Sequence, residues 1–168
     1  MNVSRRHFVL ASSAFVVAPN PAFAATPREI TWDDLIPADV PYGEIIAEGQ
    51  KDEEQDTWLP IFDENASKLN PDLNGEFVKI PGYVVPFDQT TSGVTSFILV
   101  PYVGACVHTP PPPPNQLIFV KSDIPWKQDN LWDPVWVIGN INHETQVTDI
   151  AESGYALQAS KIEIYEWE

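Results

Sequence analysis

The sequence of 168 residues predicts a mainly β protein, a small five-stranded Greek-key barrel of the OB type that follows an N-terminal extension with short helices. Three observations support this fold. Short apolar or alternating runs, separated by glycine and proline, begin after Gly75. The first run is interrupted at Pro81-Gly82, which indicates a bend or bulge. The last run alternates, with Ile162 and Ile164 on one face. A β-sandwich is the alternative.

The five runs place the barrel in residues 75–168, after an N-terminal extension in residues 25–74. The acidic run at residues 49–56 is predicted to be a surface loop of that extension. Residues 141–154 are expected to cross the end of the barrel, with a short helix at 149–153. The predicted strands cover residues 76–87, 93–100, 115–120, 133–140 and 156–167.

The N-terminus has the pattern of a twin-arginine signal peptide. Arg5-Arg6 precedes an apolar run at residues 8–18, and Ala22-Phe23-Ala24 supplies small residues at a cleavage point. We therefore predict a signal peptide in residues 1–24 and a periplasmic protein. The apolar run is too short to span a bilayer, and no second one follows, so the mature protein is expected to have no membrane span.

The charge balance argues against nucleic acid as a partner. The chain has 24 acidic and 9 basic residues and a net charge of −15, which repels phosphates. The same charge favours cations or a basic partner, although solubility alone also explains it. The single cysteine excludes an internal disulfide.

That cysteine lies in the segment that carries the candidate chemistry. In extended backbone, Cys106 and His108 project to the same face, roughly 6.5–7 Å apart, and a thiolate with an imidazole suits zinc or copper. His143 is the predicted third ligand. Methionine is absent after the predicted cleavage point, which favours zinc over copper. A structural cysteine that fills the core is the alternative.

Five consecutive prolines, Pro110–Pro114, follow this pair after Thr109. As a polyproline II rod of roughly 15 Å, the run forms a stiff wall beside the Cys–His pair. It also suits a groove for a protein partner, so a metal-free binding module is a second hypothesis. An enzyme with Cys106 as nucleophile and His108 as base is a third, although neighbours on one strand are an unusual arrangement for it. The predicted partner-binding residues are Tyr102, Pro110, Pro111, Pro112, Pro113, Pro114, Asn115 and Gln116.

Several runs together resemble a family of exported bacterial proteins of unknown function, and the resemblance covers essentially the whole mature chain. The most specific is Cys-x-His-x-Pro-Pro-Pro-Pro-x-Asn-Gln, from Cys106 to Gln116. In that family the genes often lie beside an ABC-type transporter and zinc-responsive genes. The resemblance implies a periplasmic accessory role in zinc handling, with a transporter component as partner. The other runs that carry it are residues 32–37, 78–86, 97–101 and 135–139.

Overall fold

The computed structural model describes residues 26–52, 57–88, 90–105, 111–127, 133–148 and 150–166. Strands dominate this part of the chain, and the helical segments are short 3-10 turns. The strands are β1 (Arg28–Glu29), β2 (Ile45–Asp52), β3 (Thr57–Phe62), β4 (Phe77–Pro86), β5 (Val94–Val100), β6 (Ile118–Trp126), β7 (Val135–Val147) and β8 (Glu152–Ile164). The 3-10 turns are Asp33–Leu35, Glu64–Ser67, Pro71–Leu73 and Pro114–Gln116.

Five of these strands close into a barrel. The order is β4-β5-β6-β8-β7, and β7 pairs back onto β4. All pairs are antiparallel except β6 with β8, so the barrel is mixed. The parallel pair between the third and fifth barrel strands gives the OB-type topology. The predicted fold is confirmed, and closure of the sheet excludes the sandwich alternative.

The interruption at Pro81-Gly82 falls where β4 changes partners. Phe77 to Gly82 pair with β7, and Tyr83 to Pro86 pair with β5. A Cβ on Gly82 would lie 2.8 Å from Leu99 Cγ and 2.9 Å from the Val100 carbonyl oxygen. The glycine therefore permits the close approach that bends the strand into the barrel.

The barrel interior follows from strict alternation along the strands. Inward-facing aliphatic side chains and two aromatic rings form one continuous core. Leu35 and Leu73 of the N-terminal extension also belong to this core. Tyr155 is the largest fully buried side chain. Its hydroxyl donates to the Leu35 carbonyl oxygen (2.6 Å) and accepts from the Asn70 N–H (2.7 Å). These bonds fix the extension to the barrel.

Three local predictions were wrong. Residues 141–147 do not cross the barrel end, because β7 continues to Val147 and forms a long antiparallel hairpin with β8. The predicted helix at 149–153 is not formed at residues 152–153, which begin β8. The acidic run predicted as a loop also begins inside a strand, because β2 extends to Asp52 and pairs with β3 in a separate two-stranded sheet.

Among the residues that the structure describes, no helix has the length and apolar character needed to cross a bilayer. The predicted signal peptide lies outside these residues, so its cleavage and the route of export stay predictions.

Candidate functional site

The segment with the Cys–His pair connects β5 to β6. Cys106, His108 and Pro110 lie outside the described residues, so the structure does not place the two predicted ligands or that proline. The residues on each side are placed. Ala105 is fully buried, and Pro111, where the described residues resume, is buried. Both ends of the segment are therefore held against the protein.

This connection covers part of the outer surface of the barrel. Ile98 and Val100 point outward from β5, opposite to the core-facing Phe97 and Leu99, yet both are buried. They are covered by Ala105, Leu117 and Ala151, with partly buried side chains of β4 alongside, in a second apolar cluster. Barrels of this type bind oligonucleotides on the face of their second and third strands. Here the second-strand part of that face is covered by residues of the chain itself.

A groove of about 440 Å³ lies beside this second cluster. Three segments distant in sequence form its walls: β3 with the turn Glu64–Ser67, the proline run, and the turn between β7 and β8. Most of its lining is apolar. The lining residues are Leu59, Pro60, Phe62, Asp63, Glu64, Ala66, Ser67, Pro111, Pro112, Pro114, Leu117, Val147, Thr148, Ala151 and Glu152.

Pro111, Pro112 and Pro114 form one wall of this groove, and the run is packed against the protein and not free-standing. Pro111, Pro112 and Pro113 are buried, and Pro114 is half-buried and begins a 3-10 turn. A Cβ on Gly154 would lie 3.2 Å from the Pro114 carbonyl oxygen, so β8 supports the run from behind. The fixed φ of proline keeps this wall rigid.

Asn115 and Gln116 hold the wall in place from inside the protein. The fully buried Asn115 side chain donates from Nδ2 to the carbonyl oxygens of Asn65 (2.9 Å) and Lys68 (3.1 Å). Gln116 Nε2 donates to the Trp32 carbonyl oxygen (2.9 Å). Direct contact with a partner, which the sequence predicted, would require them to leave these bonds. The structure gives both a scaffold role.

Tyr102 lies on the surface, with 43% of its area exposed, and Val103 beside it is also exposed. Tyr42 from the N-terminal extension lies close by. Partial burial and the neighbouring Tyr102 raise the pKa of Tyr42 to about 12. The Tyr42 hydroxyl therefore stays protonated at neutral pH. Tyr102 is placed where a partner could contact it, but it does not line the groove.

His143 packs at the end of the barrel core. Its Nε2 lies 2.8 Å from the Asn70 carbonyl oxygen, and its ring meets Tyr155 edge-on at 5.5 Å between centroids. Because the Asn70 partner is a carbonyl oxygen, Nε2 is the donor in this hydrogen bond. Among the described residues, no three His, Cys, Asp or Glu side chains converge on a metal position.

The groove is acidic as well as apolar. Its charged lining residues are three carboxylates, and no lysine or arginine lines it among the described residues. Asp63 caps the adjacent turn by accepting from the Asn65 N–H (3.0 Å), and Glu64 pairs with Lys68 at 3.4 Å. Glu152 is exposed at the start of β8. The Glu64 side chain is also exposed, with 87% of its area open to solvent.

Several residues of the groove could not be identified from the sequence. Leu59, Phe62, Val147 and Ala151 lie far apart in the chain and carry no motif. The available signal was the apolar character of Trp58, Leu59, Ile61 and Phe62 directly after an acidic run, which indicates a partly buried strand.

Comparison with known proteins supports this architecture. The family model for the proteins of unknown function DUF3299 matches residues 32–164, which include every residue that lines the groove. A crystal structure of a DUF3299 family protein from Pseudomonas aeruginosa PAO1 is similar, with 34% sequence identity and a TM-score of 0.67. The alignment covers 86% of this chain and 99% of that one. A search of curated proteins found no match.

Proposed function

This chain belongs to the DUF3299 family of proteins of unknown function, and we propose that it is a binding module whose groove receives an extended segment of a partner protein. The groove of about 440 Å³ carries this proposal. Its volume lies within the roughly 300–1,000 Å³ typical of ligand pockets. Three of its lining residues are prolines of the motif, so the most specific run of the sequence contributes a wall of the site.

Rigidity supports the proposal. A wall of buried prolines loses little conformational entropy when a ligand binds, and preorganisation of this kind improves affinity. Val147 adds an apolar contact at the rim and is 78% exposed, so the site presents apolar surface that nothing in the described residues covers. An exposed apolar rim beside a concave surface is typical of a binding site.

The expected occupant combines apolar and basic residues. The apolar lining matches aliphatic or aromatic side chains, and the carboxylates of Asp63, Glu64 and Glu152 at the groove match lysine or arginine. The net charge of −15 attracts such a segment over a longer distance. The partner implied by the family resemblance is a component of an ABC-type transporter in the periplasm.

A peptide library displayed on phage tests the proposal. We expect the protein to select peptides in which apolar residues stand next to lysine or arginine. One selected peptide is then titrated by calorimetry against the protein and two variants. Val147→Lys places a positive charge in the groove, next to the lysine or arginine of the bound peptide. We expect this repulsion to lower the affinity for the peptide at least tenfold. Ile124→Lys is the matched control, because Ile124 is also apolar, is 72% exposed and does not line the groove.

The two variants make the same change in net charge, so general electrostatics affects them equally. The proposal fails if no peptide is enriched, or if Val147→Lys and Ile124→Lys weaken binding to the same extent.

Zinc binding at Cys106 and His108 is a second candidate, favoured by the position of this pair between Ala105 and Pro111. Both flanking residues are buried, and Pro111 also lines the groove. His143 would contribute through Nδ1. Thiolate and imidazole ligands in this number suit zinc, with copper as the alternative. Such a site fits an accessory role in zinc handling.

Metal analysis separates the two candidates. If zinc is bound, the purified protein carries about one zinc per chain, as a single site of three or four ligands requires. Cys106→Ser loses that zinc, while Val147→Lys keeps it. A metal-free protein that still binds the selected peptide supports the binding module alone. A metal-free protein whose Cys106 alkylates rapidly at neutral pH would instead support the cysteine-dependent enzyme.

A further inference from the structure

A second concave surface lies on the outside of the barrel, across β6, β8 and β7. None of its lining residues lines the groove described above. Its volume is about 170 Å³, and the side chains around it are polar except for one aromatic ring and the aliphatic floor. The lining residues that matter are Phe119, Lys121, Asn142, Glu144, Ala156 and Gln158.

Strand register explains the depression. Phe119 on β6 is paired with Ala156 on β8, and Ala156 is paired with Asn142 on β7. The small side chain of Ala156 therefore lies between an aromatic ring and an amide, and forms a low floor. Since neighbouring strands are about 4.8 Å apart, the backbones that carry Phe119 and Asn142 are separated by roughly 9–10 Å. Gln158 lies two residues beyond Ala156 on β8, so it stands on the same face in the next row, where it is paired with Lys121.

The aromatic side of the depression is held firmly. Phe119 packs against Phe87 with 5.7 Å between ring centroids and an angle of 43° between the rings. The Lys121 ammonium lies 5.5 Å from the centroid of Phe119. Phe87 is itself 36% exposed, so the pair presents apolar surface next to polar groups. An aromatic pair at the surface of a sheet, beside amide side chains, is suited to a ligand with one apolar and several polar faces.

We infer that this depression binds a neutral sugar residue of a glycan. The C–H face of a sugar ring packs on an aromatic ring, and its hydroxyl groups both donate and accept hydrogen bonds. The amides of Asn142 and Gln158 also both donate and accept. The opposite charges of Lys121 and Glu144 cancel, so the depression favours neither an anion nor a cation. A purely apolar peptide side chain would leave the amides without partners, which is unfavourable.

Titration of the ¹⁵N-labelled protein with cellobiose, maltose and N,N′-diacetylchitobiose tests the inference by NMR. We expect saturable shifts for at least one disaccharide, confined to amides on β6, β7 and β8 around the depression. Ala156→Leu fills the floor and abolishes the shifts. Gln158→Ala, at an exposed position that leaves the fold intact, lowers affinity at least fivefold. Asn140→Ala is the control, because Asn140 lies on the same face of β7 but outside the depression.

The inference is overturned if none of the three sugars gives saturable shifts up to its solubility limit, or if the shifts persist in both Ala156→Leu and Gln158→Ala. Shifts centred on the groove would assign glycan binding to that site and also refute the inference. The peptide experiment on the groove is independent of each of these outcomes.

Discussion

Replacement of Asn115 by alanine tests how the proline wall is held. The substitution removes two hydrogen bonds from Nδ2, to the carbonyl oxygens of Asn65 and Lys68. The Asn65 carbonyl oxygen still accepts a hydrogen bond from the Lys68 N–H (3.1 Å). Loss of the side-chain bond therefore affects the Lys68 carbonyl oxygen more than the Asn65 carbonyl oxygen. Each of these two hydrogen bonds makes a net contribution of about 1 kcal/mol to the free energy of unfolding.

Two smaller effects modify this sum. The buried Oδ1 has no hydrogen-bond partner, so its removal stabilises the protein by up to about 1 kcal/mol. The cavity left by the truncated side chain destabilises the protein by a similar amount. We therefore expect Asn115→Ala to lower the free energy of unfolding by about 2 kcal/mol.

Urea unfolding followed by tryptophan fluorescence measures the change. With a slope of about 2 kcal/mol per molar urea, the midpoint moves down by about 1 M. Asn140→Ala, an exposed asparagine, is the control and changes stability by less than about 0.5 kcal/mol. If Asn115→Ala and the control have the same unfolding midpoint, the scaffold role of Asn115 is refuted. That result would favour the partner contact predicted from the sequence.

Two further substitutions probe the barrel. Tyr155→Phe removes both hydrogen bonds to the extension and lowers the free energy of unfolding by about 1–3 kcal/mol in urea at pH 7. Burial raises the pKa of Tyr155 to about 12, so the folded state holds this proton more tightly than the unfolded state. The stability that this group contributes is therefore complete below pH 10 and falls as the pH rises toward 12. The difference in free energy of unfolding between the protein and Tyr155→Phe should narrow over that interval. A difference that stays constant contradicts this. Gly139→Ala would place a Cβ 2.1 Å from the Gln158 carbonyl oxygen and should cost more than about 2 kcal/mol by the same assay. Full stability of that variant would show that the β7–β8 pairing differs from the structure.

The barrel was predictable because its strands carry local signals. Alternation at residues 162–164 and the Pro81-Gly82 interruption are properties of short segments, and each corresponds to an observed feature. The strand ends were less predictable. β6 extends to Trp126 through residues without a regular apolar pattern, and it pairs with β5 at Lys121 and again at Trp126, with a register shift between.

The groove was not predictable, because its geometry depends on long-range packing. The proline run was recognised as a wall, but its opposite wall is β3, whose partner β2 has an acidic composition that suggested a loop. The third wall is a turn placed by the β7–β8 hairpin, where a crossing was expected. Burial of Asn115 and Gln116 also follows from contacts with residues about 50 and 84 positions away, which no local pattern reveals.

Hydrogen exchange of the protein with a selected peptide tests the central claim most directly. Binding in the groove should slow exchange of backbone amides in residues 59–67 and 147–152, with the outer face of β6 unchanged. Protection confined to other parts of the barrel, or no protection at saturating peptide, would contradict a partner-binding role for the groove.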